Sequence, residues 1–400
     1  MSELSLEAFH LKDNPFSGTP PVSKEDVVWA AREPLKHDMQ ELIVNSFIST
    51  PSRININWGE WGTGKTHSMK YFSREDVLDE ISDNITDKKG LVLNIFLPKQ
   101  NILESIYVLI INDLSMENFS EVIRSIAFEE DTLVSDDVKN RRIRNCGVSE
   151  NSAKVFTGLI SSDNDIIFSA KSYIYLDATR SDAKKIGVPR RITTKSEQTI
   201  FLSEIFRVFL SEKSPYSRIL IWLDECESVL NMSGREVADF RSFLRSMIDL
   251  ISNKLTIFLN ASLKSDEYIT FKELLGTAVL ERVYKEKVFP YINEEETLEY
   301  IKQLVNNEEY RNPQIKEELL GLNLDYFPFN EDCIKGLFEL LRNHLGRTPT
   351  PRNINDALSS AMEYTLRDNA LTSSISSHET TITRDFIESN WDEIKLGINV

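Results

Sequence analysis

The sequence predicts an α/β fold: a parallel sheet covered by helices, followed by an all-helical lid domain. Three observations carry that expectation. Short apolar runs, ININW (54–58), LVLNIFL (91–97), RILIWLDE (218–225) and LTIFLNAS (255–262), with KEKVF (285–289) as a last one, alternate with segments of helical periodicity. Such strands, apolar on both faces and separated by helices, belong to a sheet buried between helical layers. From about residue 291 only helical patterns remain.

The elements follow in order. Residues 1–35 contain several prolines and read as mostly irregular. Leu35, Met39, Leu42, Ile43 and Phe47 recur near 3.6-residue spacing, which predicts a helix over roughly 35–47. The 54–58 strand runs into a Gly-rich loop, and a helix is expected from about Thr66. The apolar run around Ile102–Leu114 reads as a buried helix, too short to cross a bilayer. Between about 116 and 195, charges, serines and short apolar stretches mix, and no topology can be read; this stretch is taken as an insertion. Helices are expected near Glu197–Leu210 and over 235–252, then at Glu294–Val305, Glu331–Arg342 and Asn353–Leu366. The Ser/Thr-rich LTSSISSHETT leads to a short helix near Arg384–Ile394. The expected division is an α/β domain over 1–290, a helical lid over 291–368, and a linker with a C-terminal helix over 369–400.

Composition narrows the function classes. The apolar fraction of 41% supplies a core without disulfides or structural metal. A formal charge of −17 argues against a chain that mainly coats nucleic acid, which needs surplus Lys and Arg. Cys146, Cys226 and Cys333 form no paired spacing, so reduced thiols and a cytoplasmic setting are expected. The first residues carry no basic and apolar signal pattern, and no membrane association is expected.

Two motifs carry chemistry. Gly59-Glu60-Trp61-Gly62-Thr63-Gly64-Lys65-Thr66 fits G-x-x-x-x-G-K-[ST] in full, between a predicted strand and a predicted helix. Glycines there permit a tight turn whose N–H groups point inward at phosphate oxygens, and the helix adds its positive end. Lys65 would reach the β- and γ-phosphates of ATP, and the Thr66 hydroxyl would ligate Mg²⁺. The second motif is the apolar strand 219–223 ending in Asp224-Glu225. Asp224 would hold Mg²⁺ and Glu225 would polarise the attacking water. Taken alone, that acid pair also fits a solvated strand end.

With both motifs present, the sequence resembles the AAA+ superfamily of P-loop NTPases, and within it the branch of origin-recognition initiators, ExeA-type and TnsC-type ATPases. Further short matches run from residue 14 to about 368. The resemblance implies that Asn14-Pro15-Phe16 and Arg32-Glu33 belong to a segment lining the adenine pocket. It implies a sensor-1 role for Asn260, beside the γ-phosphate, and an arginine acting on a neighbouring subunit for Arg282. Pro351-Arg352-Asn353 is similar to the sensor-2 element, which places Arg352 on the phosphates. Each has a plainer reading: a strand end for Asn260, a surface ion pair for Arg282, a helix start for Arg352 with Arg347 as rival, an Asn-Pro turn for Asn14 and Phe16. Trp61 occupies a variable loop position and is read as a packing residue.

The resemblance also implies ATP hydrolysis in a homo-oligomeric ring or filament that loads or regulates a partner protein, in transposition, replication or anti-phage defence. Two departures bear on that. Lys65 and Asp224 stand further apart than a minimal core needs, and too little chain follows the lid for the winged-helix domain that initiators usually carry. The insertion holds two basic clusters, at 139–144 and 184–191, which fit either contact with DNA phosphates or a solvated face. Two other classes stay open. A helicase would need a second RecA-like domain, and a non-hydrolysing scaffold would leave Glu225 unused.

Overall fold

Among the described residues five strands form one parallel sheet in the order β2–β3–β4–β1–β5. They are β1 (Arg53–Gly59), β2 (Lys89–Phe96), β3 (Tyr216–Asp224), β4 (Leu255–Ser262) and β5 (Val283–Val288). The computed structural model describes residues 6–16, 23–49, 51–99, 101–128, 134–311, 325–372 and 381–398. β3 and β4 are buried along nearly their whole length, as their unbroken apolar runs require. Register places Trp222 opposite Phe258, and the two rings stack at 4.1 Å. β5 departs from the buried pattern: it is an edge strand, mostly exposed, and its Lys285-Glu286-Lys287 keeps that edge charged.

The chain forms two compact units: Met39–Trp58 with Phe72–Val288, and Met1–Asp38 with Gly59–Tyr71 and Phe289–Val400. Each has its own apolar core.

In the sheet-bearing unit, α1 (Glu33–Ile48, shared with the other unit), α3 (Glu75–Ser82), α4 (Ile102–Leu114), α10 (Lys195–Phe209), α11 (Gly234–Leu250), α12 (Ser265–Leu275) and α13 (Thr277–Leu280) are interspersed with the strands along the chain. The stretch that gave no topology is helical: α5 (Met116–Phe128), α6 (Asp136–Arg144), α7 (Glu150–Leu159), α8 (Asn164–Ile174) and α9 (Arg180–Lys185). Residues 129–133 of it lie outside the described residues. Several of its polar residues mark helix starts: Ser149 and Asp163 accept backbone N–H groups, and Thr179 with Asp182 closes a capping box. Phe119 joins this bundle to its neighbours, with Phe156 at 5.2 Å and Phe209 of α10 at 5.4 Å.

The other unit contains α2 (Lys65–Tyr71), α14 (Glu294–Val305), α15 (Glu331–Leu345) and α16 (Pro351–Thr372). α16 starts earlier than expected because Pro351 suits the first helical position. The expected terminal helix is broken at Asn390 into α17 (Arg384–Ser389) and α18 (Trp391–Ile394). Most of the Ser/Thr-rich stretch, 373–380, lies outside the described residues. Among the described residues no helix is long and apolar enough to cross a membrane.

Candidate nucleotide-binding site

β1 ends at Gly59 and α2 begins at Lys65, so the Gly-rich loop is the strand-to-helix turn that its spacing predicts. Gly62 and Gly64 have φ of 79° and 98°, a region that costs a side-chain-bearing residue about 1 kcal/mol or more. At Gly62 space is closed as well. A Cβ there would stand 2.7 Å from Thr350 Oγ1 and 2.8 Å from Arg352 Cβ. Lys65 folds over the loop and is 4% exposed. Its Nζ donates to Gly59 O and Glu60 O, both at 2.9 Å, and to Thr63 Oγ1 at 3.2 Å.

A second cation lies against the same loop. Ala31 and Arg32 both adopt left-handed backbone, φ 51° and 57°, held by Trp29 Nε1 donating to Ala31 O and Ala31 N donating to Gln303 Oε1. The bend buries Arg32, whose guanidinium donates to Thr63 O and Pro290 O at 2.6 Å each. Burial lowers its pKa, partly opposed by Glu296 and Tyr300, yet a guanidinium stays charged at any ordinary pH. Asn14 and Phe16 sit further along this segment. Asn14 Oδ1 accepts the Phe16 N–H, and Asn14 Nδ2 donates to Ser359 Oγ on α16. Phe16 is fully buried, edge-on to Phe329 at 5.8 Å, so its ring belongs to the helical core.

Both arginines that compete for the sensor-2 role meet the loop, on different side chains. Arg352 lies over the Trp61 ring, 3.7 Å from its centroid, and its backbone N–H approaches Gly62 O at 3.4 Å. Arg347 is 3.8 Å from the Glu60 carboxylate and 5.5 Å from the centroid of Tyr291, which itself donates to Glu60. Burial lowers the pKa of Arg352, with Asp356 opposing.

His67 on α2 has Nε2 at 2.9 Å from Val28 O, which makes Nε2 the protonated nitrogen of a neutral ring. Burial, then the nearby charges of Arg32 and Lys70, lower its pKa to about 4 although the Val28 carbonyl works against them. A native state that refuses this proton is at full advantage above the unfolded value of about 6.5 and loses it as pH falls towards 4. Between pH 7 and pH 5 the wild type is expected to lose up to about 2 kcal/mol that His67→Gln does not. Urea unfolding of both proteins at the two pH values checks this; an equal drop in both removes His67 as the cause.

In the sheet-bearing unit, β3 delivers Asp224 to its carboxyl end, 3% exposed. Glu225 follows, exposed and left-handed at φ 58° and ψ 34°. A glutamate in that region costs about 1–2 kcal/mol, and strain of this kind gathers at functional positions. Glu227 fastens the turn by accepting the Ser262 N–H at 2.9 Å. Asn260 is fully buried on β4, and its Oδ1 accepts from Asn57 Nδ2 on β1 at 3.0 Å. Asn57 escaped the sequence reading. Its signal was a pair of asparagines, Asn55 and Asn57, on one face of an otherwise apolar strand.

Arg282 stands elsewhere, between α13 and β5. Its guanidinium forks onto Asp249 of α11 at 2.8–3.0 Å and donates to Ala278 O, the surface ion pair that was its plainer reading. In the insertion Lys139 pairs with Asp136, Arg142 donates to Ala127 O and Arg190 pairs with Glu197. Arg141, Arg144, Lys184, Lys185 and Arg191 are exposed.

No family model matches the chain, and no curated protein does. Solved structures do. The Aeropyrum pernix ORC2 protein in its ADP form is 15% identical, with 96% of this chain and 73% of that one covered at a TM-score of 0.51. Its ADPNP–ADP complexes give 14%, 96%, 72% and 0.48. The A. pernix ORC1 protein in complex with DNA gives 14%, 92%, 66% and 0.46. At such identities the likeness speaks for the fold and not for the site. The chain has the fold of the AAA+ ATPases, and among them it is similar to the origin-recognition proteins.

Proposed function

We propose that the chain binds ATP with Mg²⁺ on residues 59–66 and hydrolyses it with Asp224, Glu225 and Asn260. The observation that carries the reading is the loop itself. Positive φ at Gly62 and Gly64, followed at once by a helix starting on buried Lys65, is a backbone arrangement suited to binding an anion. Lys65 donates to loop oxygens, and phosphate oxygens are strong acceptors for an ammonium. The Thr66 hydroxyl and the Asp224 carboxylate are hard oxygen donors of the kind Mg²⁺ prefers. The ion would neutralise charge on the phosphates. Glu225 would accept a hydrogen bond from the attacking water and polarise it, and Asn260, oriented by Asn57, would position that water. Arg352 would contact the phosphates, and Arg282 those of a neighbouring copy. The segment anchored by Asn14 and Phe16 would close the adenine side.

The larger role proposed is an ATP-driven homo-oligomer that regulates a partner protein. A protein partner is placed before DNA because Lys139, Arg142 and Arg190, three of the eight cations in the two basic clusters, are already engaged within the chain, which carries a net −17.

The test is ATP affinity by calorimetry in wild type and Lys65→Ala. Loss of about 100-fold is expected, the scale of two charge-assisted hydrogen bonds. Equal affinities, with both proteins folded by melting temperature, would sink the assignment.

A further inference from the structure

Trp61 is the one bulky apolar side chain in a loop otherwise built to let backbone approach a ligand. It is 53% exposed, so burial of its ring does not explain it. Its ring carries the guanidinium of Arg352, 3.7 Å from the centroid.

The place of Arg352 makes that contact informative. Arg352 follows Pro351 in the first turn of α16, where the helix dipole disfavours a cation and favours an anion. The acid nearest in sequence to Trp61 is Glu60, and Tyr291 and Arg347 engage its carboxylate. The loop therefore sorts the two arginines by side chain: Arg347 meets a carboxylate, Arg352 an aromatic face. An aromatic face orients a guanidinium without neutralising it, and Asp356, one turn further along α16, is the carboxylate that acts on its charge. Backbone geometry supports the placement, since Gly62, the next residue, packs against Thr350 and Arg352 too closely for any Cβ.

We propose that Trp61 is a positioning residue that holds Arg352 over the phosphate loop, so that the arginine meets the terminal phosphate of a nucleoside triphosphate already oriented. The proposal rests on the ATP-site reading above and adds to it a residue outside the phosphate-cradling backbone. It makes Trp61 matter for ATP and not for ADP, because the diphosphate lacks the group that Arg352 is held to meet.

Calorimetric affinities of the full chain for ATP and ADP test this, with wild type, Trp61→Ala, Trp61→Phe, Arg352→Ala and the double variant Trp61→Ala/Arg352→Ala. Trp61→Ala is expected to weaken ATP binding by about two- to fivefold, the range a cation–π contact of partly exposed groups carries. ADP binding should not change, and Trp61→Phe should restore most of the ATP preference by offering a ring face. In the Arg352→Ala background, removing Trp61 should have no further effect. A loss equal for ATP and ADP, or the same loss with Arg352 already gone, overturns the proposal and reduces Trp61 to a packing residue. Failure of the wild type to bind ATP overturns both readings, and it shows in the wild type alone, whereas failure of this one shows only among the variants.

Discussion

Glu225→Gln should leave ATP affinity within about twofold of wild type and cut turnover by about 10²–10⁴, the contribution of a general base. The amide keeps the size and the hydrogen-bonding reach of the side chain but cannot take a proton from water. The backbone adds a second arm. Glu225 is held at φ 58°, where glycine rests without strain. Glu225→Gly should therefore raise stability by up to about 1 kcal/mol while lowering turnover as far as Glu225→Gln does. Steady-state phosphate release and urea midpoints check the pair. Turnover by Glu225→Gln within threefold of wild type removes Glu225 from the chemistry.

Arg282→Ala should bind ATP normally and hydrolyse it about 10³–10⁵ more slowly, the range seen when an arginine supplied to a transferring phosphoryl group is removed. The fork onto Asp249 does not oppose this. Both groups are partly exposed, at 26% and 50%, and an exposed pair is worth about 0–1 kcal/mol, so a phosphate brought by another copy can displace the carboxylate. Specific activity should rise with protein concentration, since the arginine serves a neighbour. Mixing Arg282→Ala with Lys65→Ala should recover part of the activity, because some interfaces then pair an intact arginine with an intact loop. Turnover independent of concentration, from a species that sediments as a monomer, would remove the arginine from this role and leave Asp249 as its purpose.

The parts of the fold legible in the sequence were those where one force dominates. β3 and β4 read clearly because burial on both faces leaves no room for polar residues between Ile219 and Leu223 or between Ile257 and Leu259. Ile102–Leu114 has the bounds expected of it because seven of its residues face the core. The insertion was opaque for the opposite reason. α6 buries only Ile143 and α9 only Ala183, so neither shows a periodic apolar face. The Ser and Thr that cap such helices look like loop residues until the helix is seen. The Gly-rich loop was legible because its spacing is a requirement of backbone geometry. What sequence alone missed was pairing across the chain. Nothing in the order of residues says that Trp61 would meet Arg352, or that Asn57 would meet Asn260, since each contact depends on a fold that brings distant segments together.

The neighbours in the sheet have a kinetic consequence. β2 and β3 are adjacent, with Lys89 opposite Tyr216, yet all of α4 to α10 lies between them in the chain. Closing so long a loop forfeits chain entropy that grows as the logarithm of its length, before the first hydrogen bond of that strand pair returns anything. The intervening helices make contacts close in sequence, α5 with α6, α6 with α7 and α8 with α9, and contacts of that kind form fast. A helical bundle that condensed first would shorten the effective loop, so folding in which these helices form before the β2–β3 pair closes is the expected order.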